Sequence, residues 1–130
     1  MDFPAFKLTG QVALVTGAAR GLGEAISLAL AHAGADVALG LRDVKAQGSV
    51  AARIEAMGRR ALPLQMDVQR LDQIFQAVED TVKTFGRLDI LVNNAGVAPE
   101  NMAEKVREQE LIVAAAEAKH EALHKPNYLH

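Results

Sequence analysis

Apolar residues along this chain change their period several times, and each change marks a predicted element. Val12 to Val15 form a short continuous apolar run of the kind buried on both faces of a sheet. Thr16 and Gly17 end that strand. From Leu22 apolar residues recur at helical spacing through Ile26, Ala29, Leu30 and Ala33, and Gly34 closes the helix. Asp36 to Leu41 predicts a second strand, and Val44 to Met57 a helix carrying Val50, Ile54 and Met57 on one face, closed by Gly58. Ala61 to Met66 reads as the third strand. Leu71 to Phe85 is the clearest amphipathic helix, with Leu71, Ile74, Val78, Val82 and Phe85 in register and Gly86 as its stop. Leu88 to Asn93 is the fourth strand. Ahead of these lies a lead-in over residues 1–10, with Phe3, Phe6 and Leu8 expected against the sheet edge. Strands alternating with helices call for an α/β fold with parallel pairing and right-handed crossovers.

From about Pro99 the pattern changes. Asn101 and Glu104 have the spacing of a helix cap and its third residue, and a Glu/Lys/Ala-rich helix is expected from there to about His124, ended by Pro126. Met102, Val106, Val113, Ala116 and Leu123 share one face of it, interrupted by Gln109 and His120. The chain therefore divides into residues 1–98, an alternating strand–helix unit, and residues 99–130, a C-terminal helix and short tail expected to pack on that unit or to mediate dimerisation. Strand four would otherwise be an open edge, which invites pairing with another chain, so a homodimer through that edge or through the last helix is a further expectation.

Composition narrows the partners. The 130 residues are half apolar with a net charge of −2, which gives no basic footprint for nucleic acid. The chain contains no cysteine, hence no disulfide framework or thiol chemistry. Its first residues lack the order of a signal peptide and no apolar run approaches a membrane span, so no membrane partner is expected and the location expected is cytoplasmic.

The chemistry gathers where the first strand meets the first helix. Gly17, Gly21 and Gly23 form a Gly-x-x-x-Gly-x-Gly turn that points the helix's free N–H groups at whatever lies above it, an arrangement suited to a pyrophosphate. Downstream, strand four runs into Asn93-Asn94-Ala95-Gly96. These two motifs, in this order and at this separation, resemble the short-chain dehydrogenase/reductase family over residues 8–98, whereas the tail does not follow the family's usual continuation. The resemblance implies a Rossmann-type sheet cut to four strands in the order 3-2-1-4, with flanking helices and the long C-terminal helix added. Members of that family usually run to about 250 residues as one domain, and this chain is roughly half of that.

By resemblance, Gly17, Arg20, Gly21, Leu22 and Gly23 would line the pyrophosphate and nearby ribose. Asp67 and Val68 would meet the adenine ring, and Asn94, Ala95 and Gly96 the adenosine ribose. For Asn93 a structural role, tying adjacent backbone strands, is at least as good an account. Alignment on Gly34-Ala35 puts Leu41 where an acidic residue would bind an unphosphorylated ribose, with Arg42 directly after it. Arg42 and Arg20 together favour a 2′-phosphate and so NADP(H) over NAD(H). Asp43 stands against this if it reaches the ribose, or is neutral if it caps the next helix.

The family's reaction needs a Tyr to move a proton, a Lys four residues later and a Ser on the substrate oxygen. The only tyrosine is Tyr128, two residues from the end of the sequence, and the serines are Ser27 and Ser49, both in early helices, so no catalytic residue is assigned. The expected function is thus the NAD(P)(H)-binding portion of an oxidoreductase of this family, without turnover by these residues alone. Two alternatives remain: a non-catalytic dinucleotide-binding or interaction module, and a zinc site or zinc hydrolase on the tail. The latter rests on His120-Glu121-Ala122-Leu123-His124 with His130 following, a run that resembles the metzincin signature with Asn127 where Gly is usual. The competing account of that run is a helix end whose cationic side chains complement the dipole.

Overall fold

Four parallel strands form the centre of the molecule, in the order 3-2-1-4 that the family resemblance implies. The computed structural model describes residues 7–94, 110, 112–115, 117 and 118. Within them the elements are β1 (Val12–Thr16), α1 (Gly21–His32), β2 (Asp36–Leu41), a 3-10 turn (Val44–Ala46), α2 (Val50–Ala56), β3 (Ala61–Gln65), α3 (Leu71–Phe85) and β4 (Ile90–Val92). The register pairs Leu14 with Ala38 and with Leu91, and Leu39 with Pro63. β1 is buried at all five positions because it has a strand on each side and helices on both faces.

Alternate residues of β1 and β2 feed two cores. Leu14 and Ala38 face α3, where Ile74, Ala77 and Val78 meet Met66, Ile112 and Ala115. Val15, Val37, Leu39 and Leu41 face the opposite way, onto Ala18, Ala31, Val50 and Ile54. The sheet is thus the middle of three layers, and the C-terminal helical residues 112–115 complete the α3 side.

Several details differ from the sequence expectations. The helix expected over Val44 to Met57 is two pieces. Gly48 adopts φ +65°, a left-handed conformation that interrupts a right-handed helix, and Asp43 caps the short turn before it by accepting from the Lys45 N–H at 3.0 Å. Val50 and Ile54 are buried as expected, but Met57 lies past the last turn of α2 and is exposed. In α1 the most buried line is Gly23, Ser27 and Ala31, not the larger apolar residues, because the helix lies close on the sheet and only small residues fit between. In the C-terminal helix Ile112 and Ala115 are buried while Val113 is exposed, so the inward face is rotated from the expected stripe. β4 is shorter than expected, and Leu71 stands exposed at the start of α3. Of the lead-in, Leu8 is half-buried and its N–H donates to the Ala33 carbonyl, which seats it beside the end of α1. Phe3, Phe6, Met102, Val106, Ala116 and Leu123 lie outside the described residues.

The ends of the strands away from the helix N-termini are held by carboxylates. Asp36 accepts from the Arg60 N–H and its guanidinium at 2.8–2.9 Å, clamping the start of β2 to β3. Asp89 accepts from the Val12 N–H at 2.8 Å and from Arg87, doing the same for β1 and β4. β3 forms one border of the sheet. Since the Met66 N–H donates inward to Leu41 O, and successive N–H groups alternate, the Pro63 nitrogen faces outward, where its missing proton deprives β2 of nothing.

Ile112→Ala is expected to cost about 2–4 kcal/mol in urea unfolding, the range for truncating a buried branched side chain, and Val113→Ala less than about 0.5 kcal/mol. Equal effects would mean that the C-terminal helix does not dock by the Ile112 face.

Candidate functional site

All four strands run in one direction, so their carboxyl ends converge on one side of the sheet. A cavity of about 990 Å³ opens there, lined by residues 17–21, 41–43, 46, 65–69 and 94. Its floor is the turn from β1 into α1. Gly17 and Gly21 take φ of +61° and +60°, conformations that L side chains rarely adopt, and a methyl group added at Gly21 would meet nothing within 4 Å. Arg20 stands at the N-cap of α1 and its side chain caps nothing, which leaves the amides of the first turn available to a bound group.

Gly23 does a different job. A methyl there would sit on the Gly17 carbonyl oxygen and 2.6 Å from Asn94 Nδ2. Its missing side chain lets α1 approach the turn, and Asn94 then donates from Nδ2 to Gly17 O at 3.4 Å. Behind this contact the Thr16 hydroxyl donates to Asn93 Oδ1 at 3.0 Å and accepts from the Asn94 N–H at 2.8 Å. Asn93 therefore ties the end of β4 to the end of β1, the structural role its side chain suits. Ala18 N–H reaches Gly40 O at 3.3 Å, which fixes the turn to β2 as well.

Two loops make the far wall. After β2 come Arg42 and Asp43; after β3 come Asp67 and Val68. The Asp67 carboxylate accepts from the Gln69 N–H at 3.0 Å, which curls the second loop toward the cavity. Asp43 also lines the cavity, with its Oδ1 in the Lys45 cap described above. Neither Arg20 nor Arg42 forms an ion pair among the described residues, so two guanidinium groups border the cavity without a carboxylate partner there.

Of the residues singled out in the sequence, Gly17, Arg20, Gly21, Leu41, Arg42, Asp43, Asp67, Val68 and Asn94 line this cavity together. Leu22 and Gly23 are not among the lining residues: the Leu22 side chain is 67% exposed and Gly23 is packed beneath the turn. Ala95 and Gly96 lie outside the described residues, as do His120, Glu121, His124, His130 and Tyr128. Among the described residues no group of three or more His, Cys, Asp or Glu is placed to hold a metal ion. No helix of the described residues is long and apolar enough to cross a membrane. Gln65, Gln69 and Ala46 also line the cavity, and the sequence pattern had not marked them. The available signal was their position just past strand ends on the side where ligands of open α/β sheets bind.

The profile of the short chain dehydrogenase family matches residues 11–118. The chain belongs to the short-chain dehydrogenase family. The match runs past residue 98 and takes in the buried C-terminal positions Ile112 and Ala115. A 3-oxoacyl-[acyl-carrier-protein] reductase of Synechocystis is 41% identical over 101 residues, which are 77% of this chain and 41% of that protein. The crystal structure of a short chain dehydrogenase from Burkholderia cenocepacia in complex with NADP is 40% identical, with a TM-score of 0.75 over 88% of this chain and 52% of the other. The carveol dehydrogenase of Mycobacterium avium in complex with NAD is 26% identical, also with a TM-score of 0.75, over 88% of this chain and 50% of that one. The chain thus spans about two-fifths of the length of the curated family members it matches.

The two glycines predict different failures. Gly23→Ala drives a methyl into backbone and is expected to lower unfolding stability by about 3 kcal/mol, the upper part of the overpacking range. Gly21→Ala meets open space and is expected to cost about 1 kcal/mol from its positive φ alone. Urea midpoints of the two variants measured side by side check the ordering.

Proposed function

We propose that these residues bind a nicotinamide dinucleotide, NADP(H) in preference to NAD(H), as the cofactor-binding portion of an oxidoreductase. The observation that carries the preference is the pair Arg20 and Arg42, which border the cavity with no ion-pair partner among the described residues, against the single carboxylate of Asp43 beside them, whose Oδ1 accepts from the Lys45 N–H. A guanidinium presents its donors in a fork that matches phosphate oxygens. Support for a dinucleotide comes from the cavity's size, at the top of the usual range for ligand pockets, and from the open space above Gly21. Two family structures were determined with NADP and with NAD, which supports the class of cofactor.

Each residue then has a part. The amides of Gly21, Leu22 and Gly23 at the start of α1 hold the pyrophosphate. Arg20 and Arg42 hold the 2′-phosphate. Asp67 and Val68 flank the adenine. Asn94, with Ala95 and Gly96, lies along the ribose. When bound, the cofactor supplies the acceptance or release of a hydride. These residues position it and exclude water from its phosphates; none of them moves a proton on a substrate. The Ser27 hydroxyl is buried and donates to Gly23 O at 2.7 Å, and Ser49 sits at the N-cap of α2, so neither serine meets a substrate oxygen. The 130 residues alone therefore bind the cofactor without turnover. β4 has one neighbour among the described residues, and a homodimer through its free edge or through the last helix is part of the same proposal.

A fluorescence titration of the 130-residue chain with NADPH and with NADH tests this. Saturable binding, tighter for NADPH, is expected. Arg42→Ala should weaken NADPH about tenfold, the loss of one charge-assisted hydrogen bond of about 1.5 kcal/mol, and leave NADH within about twofold. Gly21→Asp should remove both, since a carboxylate there faces the pyrophosphate. Steady NADPH oxidation with a ketone by this chain, abolished in Gly21→Asp, would overturn the assignment of no turnover.

A further inference from the structure

The two loops of the far wall are joined through a pair of glutamines. Gln65, the last residue of β3, accepts from the Val44 N–H at 2.9 Å through Oε1 and donates from Nε2 to the Arg42 carbonyl at 2.6 Å. The same Nε2 donates to Gln73 Oε1 at 3.2 Å. Gln73, in the first turn of α3, also accepts from the Asp67 N–H at 2.8 Å on that oxygen. Both amide orientations are fixed by these partners. Gln65 must place its oxygen on a backbone N–H and its nitrogen on a backbone carbonyl, and Gln73 must offer an acceptor to two donors. One amide therefore brackets Arg42 and Val44, the other holds Asp67, and they hold each other. Gln73 is not among the residues that line the cavity.

We propose that Gln65 and Gln73 are positioning residues for cofactor selection: they lock the Arg42 segment to the Asp67 segment, so that the backbone carrying Arg42 keeps its spacing from the adenine side of the pocket. This rests on the dinucleotide reading above and adds to it a determinant that lies on β3 and α3, away from the glycine turn. The adenine and the 2′-phosphate are carried by one ribose. A site that reads both gains selectivity only if its two reading segments keep their spacing. Without the pair, the segment after β2 loses two side-chain hydrogen bonds and retains its cap on Lys45, so it stays folded but moves relative to Asp67.

Calorimetric titration of the full chain and its variants with NADPH and NADH tests the proposal, with the urea midpoint measured on each. Gln65→Met keeps the length of the side chain and removes its bonds. It is expected to weaken NADPH about five- to tenfold, the loss of one to two net hydrogen bonds, and NADH by about twofold or less, so that the ratio of the two affinities falls. Gln73→Met is expected to lower the ratio in the same direction. Gln73→Glu keeps an oxygen that accepts from both Asp67 N–H and Gln65 Nε2, and is expected to restore it. An unchanged ratio in Gln65→Met would overturn the proposal. So would a loss in Gln73→Glu equal to that in Gln73→Met, since a merely structural side chain would not discriminate them in this way. If either Met variant fails to fold, Gln65→Glu, which keeps the Val44 bond and loses the donor to Arg42, must lower the ratio or the proposal falls. A wild-type chain that binds NADH more tightly than NADPH overturns the proposal and the 2′-phosphate assignment together, while leaving dinucleotide binding intact. A wild-type chain that binds neither overturns the dinucleotide reading itself. A wild-type preference for NADPH that depends on Arg42 but not on Gln65 removes this inference alone.

Discussion

The approach of α1 to the end of β1 sets the geometry of everything around it. Because Gly23 carries no side chain, the first turn of the helix can rest on the Gly17 carbonyl, and Ser27 and Ala31 follow it down the same buried line. That closeness aims the helix N-terminus across the carboxyl ends of the strands, where its dipole acts on the cavity. It also leaves room for Asn94 to reach Gly17 O, so the first and fourth strands meet over the same turn. A longer side chain at any of these small positions would lift the helix and open the cavity floor.

The two ends of the sheet are held together by different kinds of bond. Asp36 and Asp89 pin the amino ends of neighbouring strands with charged and backbone hydrogen bonds, and nothing lining the cavity comes from that side. At the carboxyl ends the strands give way to short polar segments, tied by side chains such as Thr16, Asn93, Gln65 and Gln73. Such bonds hold loops in register without burying them, and the space between them stays accessible to a ligand. Burial supplies the scaffold, and amide and hydroxyl groups supply its shape at the rim.

Much of this was legible in the sequence. The second strand and the third helix have the bounds their patterns predict, and the strand order is the one the family resemblance implies. What escaped has a common physical cause. Hydrophobic periodicity registers large apolar residues, so it chose Leu22 and Ile26 for the inner face of α1 where close packing selected Gly23, Ser27 and Ala31. It ran a helix through Gly48, because a left-handed glycine does not disturb the spacing of apolar neighbours. In the site, Arg42, Asp67 and Asn94 were found by motif, since they lie beside strand ends that the pattern fixes. Gln65 and Gln73 were not found, because a hydrogen bond between two side chains eight residues apart leaves no periodic trace.

Pro63 gives the two borders of the sheet unequal chemistry. On β4 the Asp89 N–H points inward to Val12 O, so by alternation the outward donors are those of Ile90 and Val92, whereas on β3 the outward donor at the middle of the strand is absent. A strand laid against β3 would therefore form one hydrogen bond fewer at that point than on a border with every donor present. Among the described residues, β3 is thus the poorer of the two borders for pairing with a further strand.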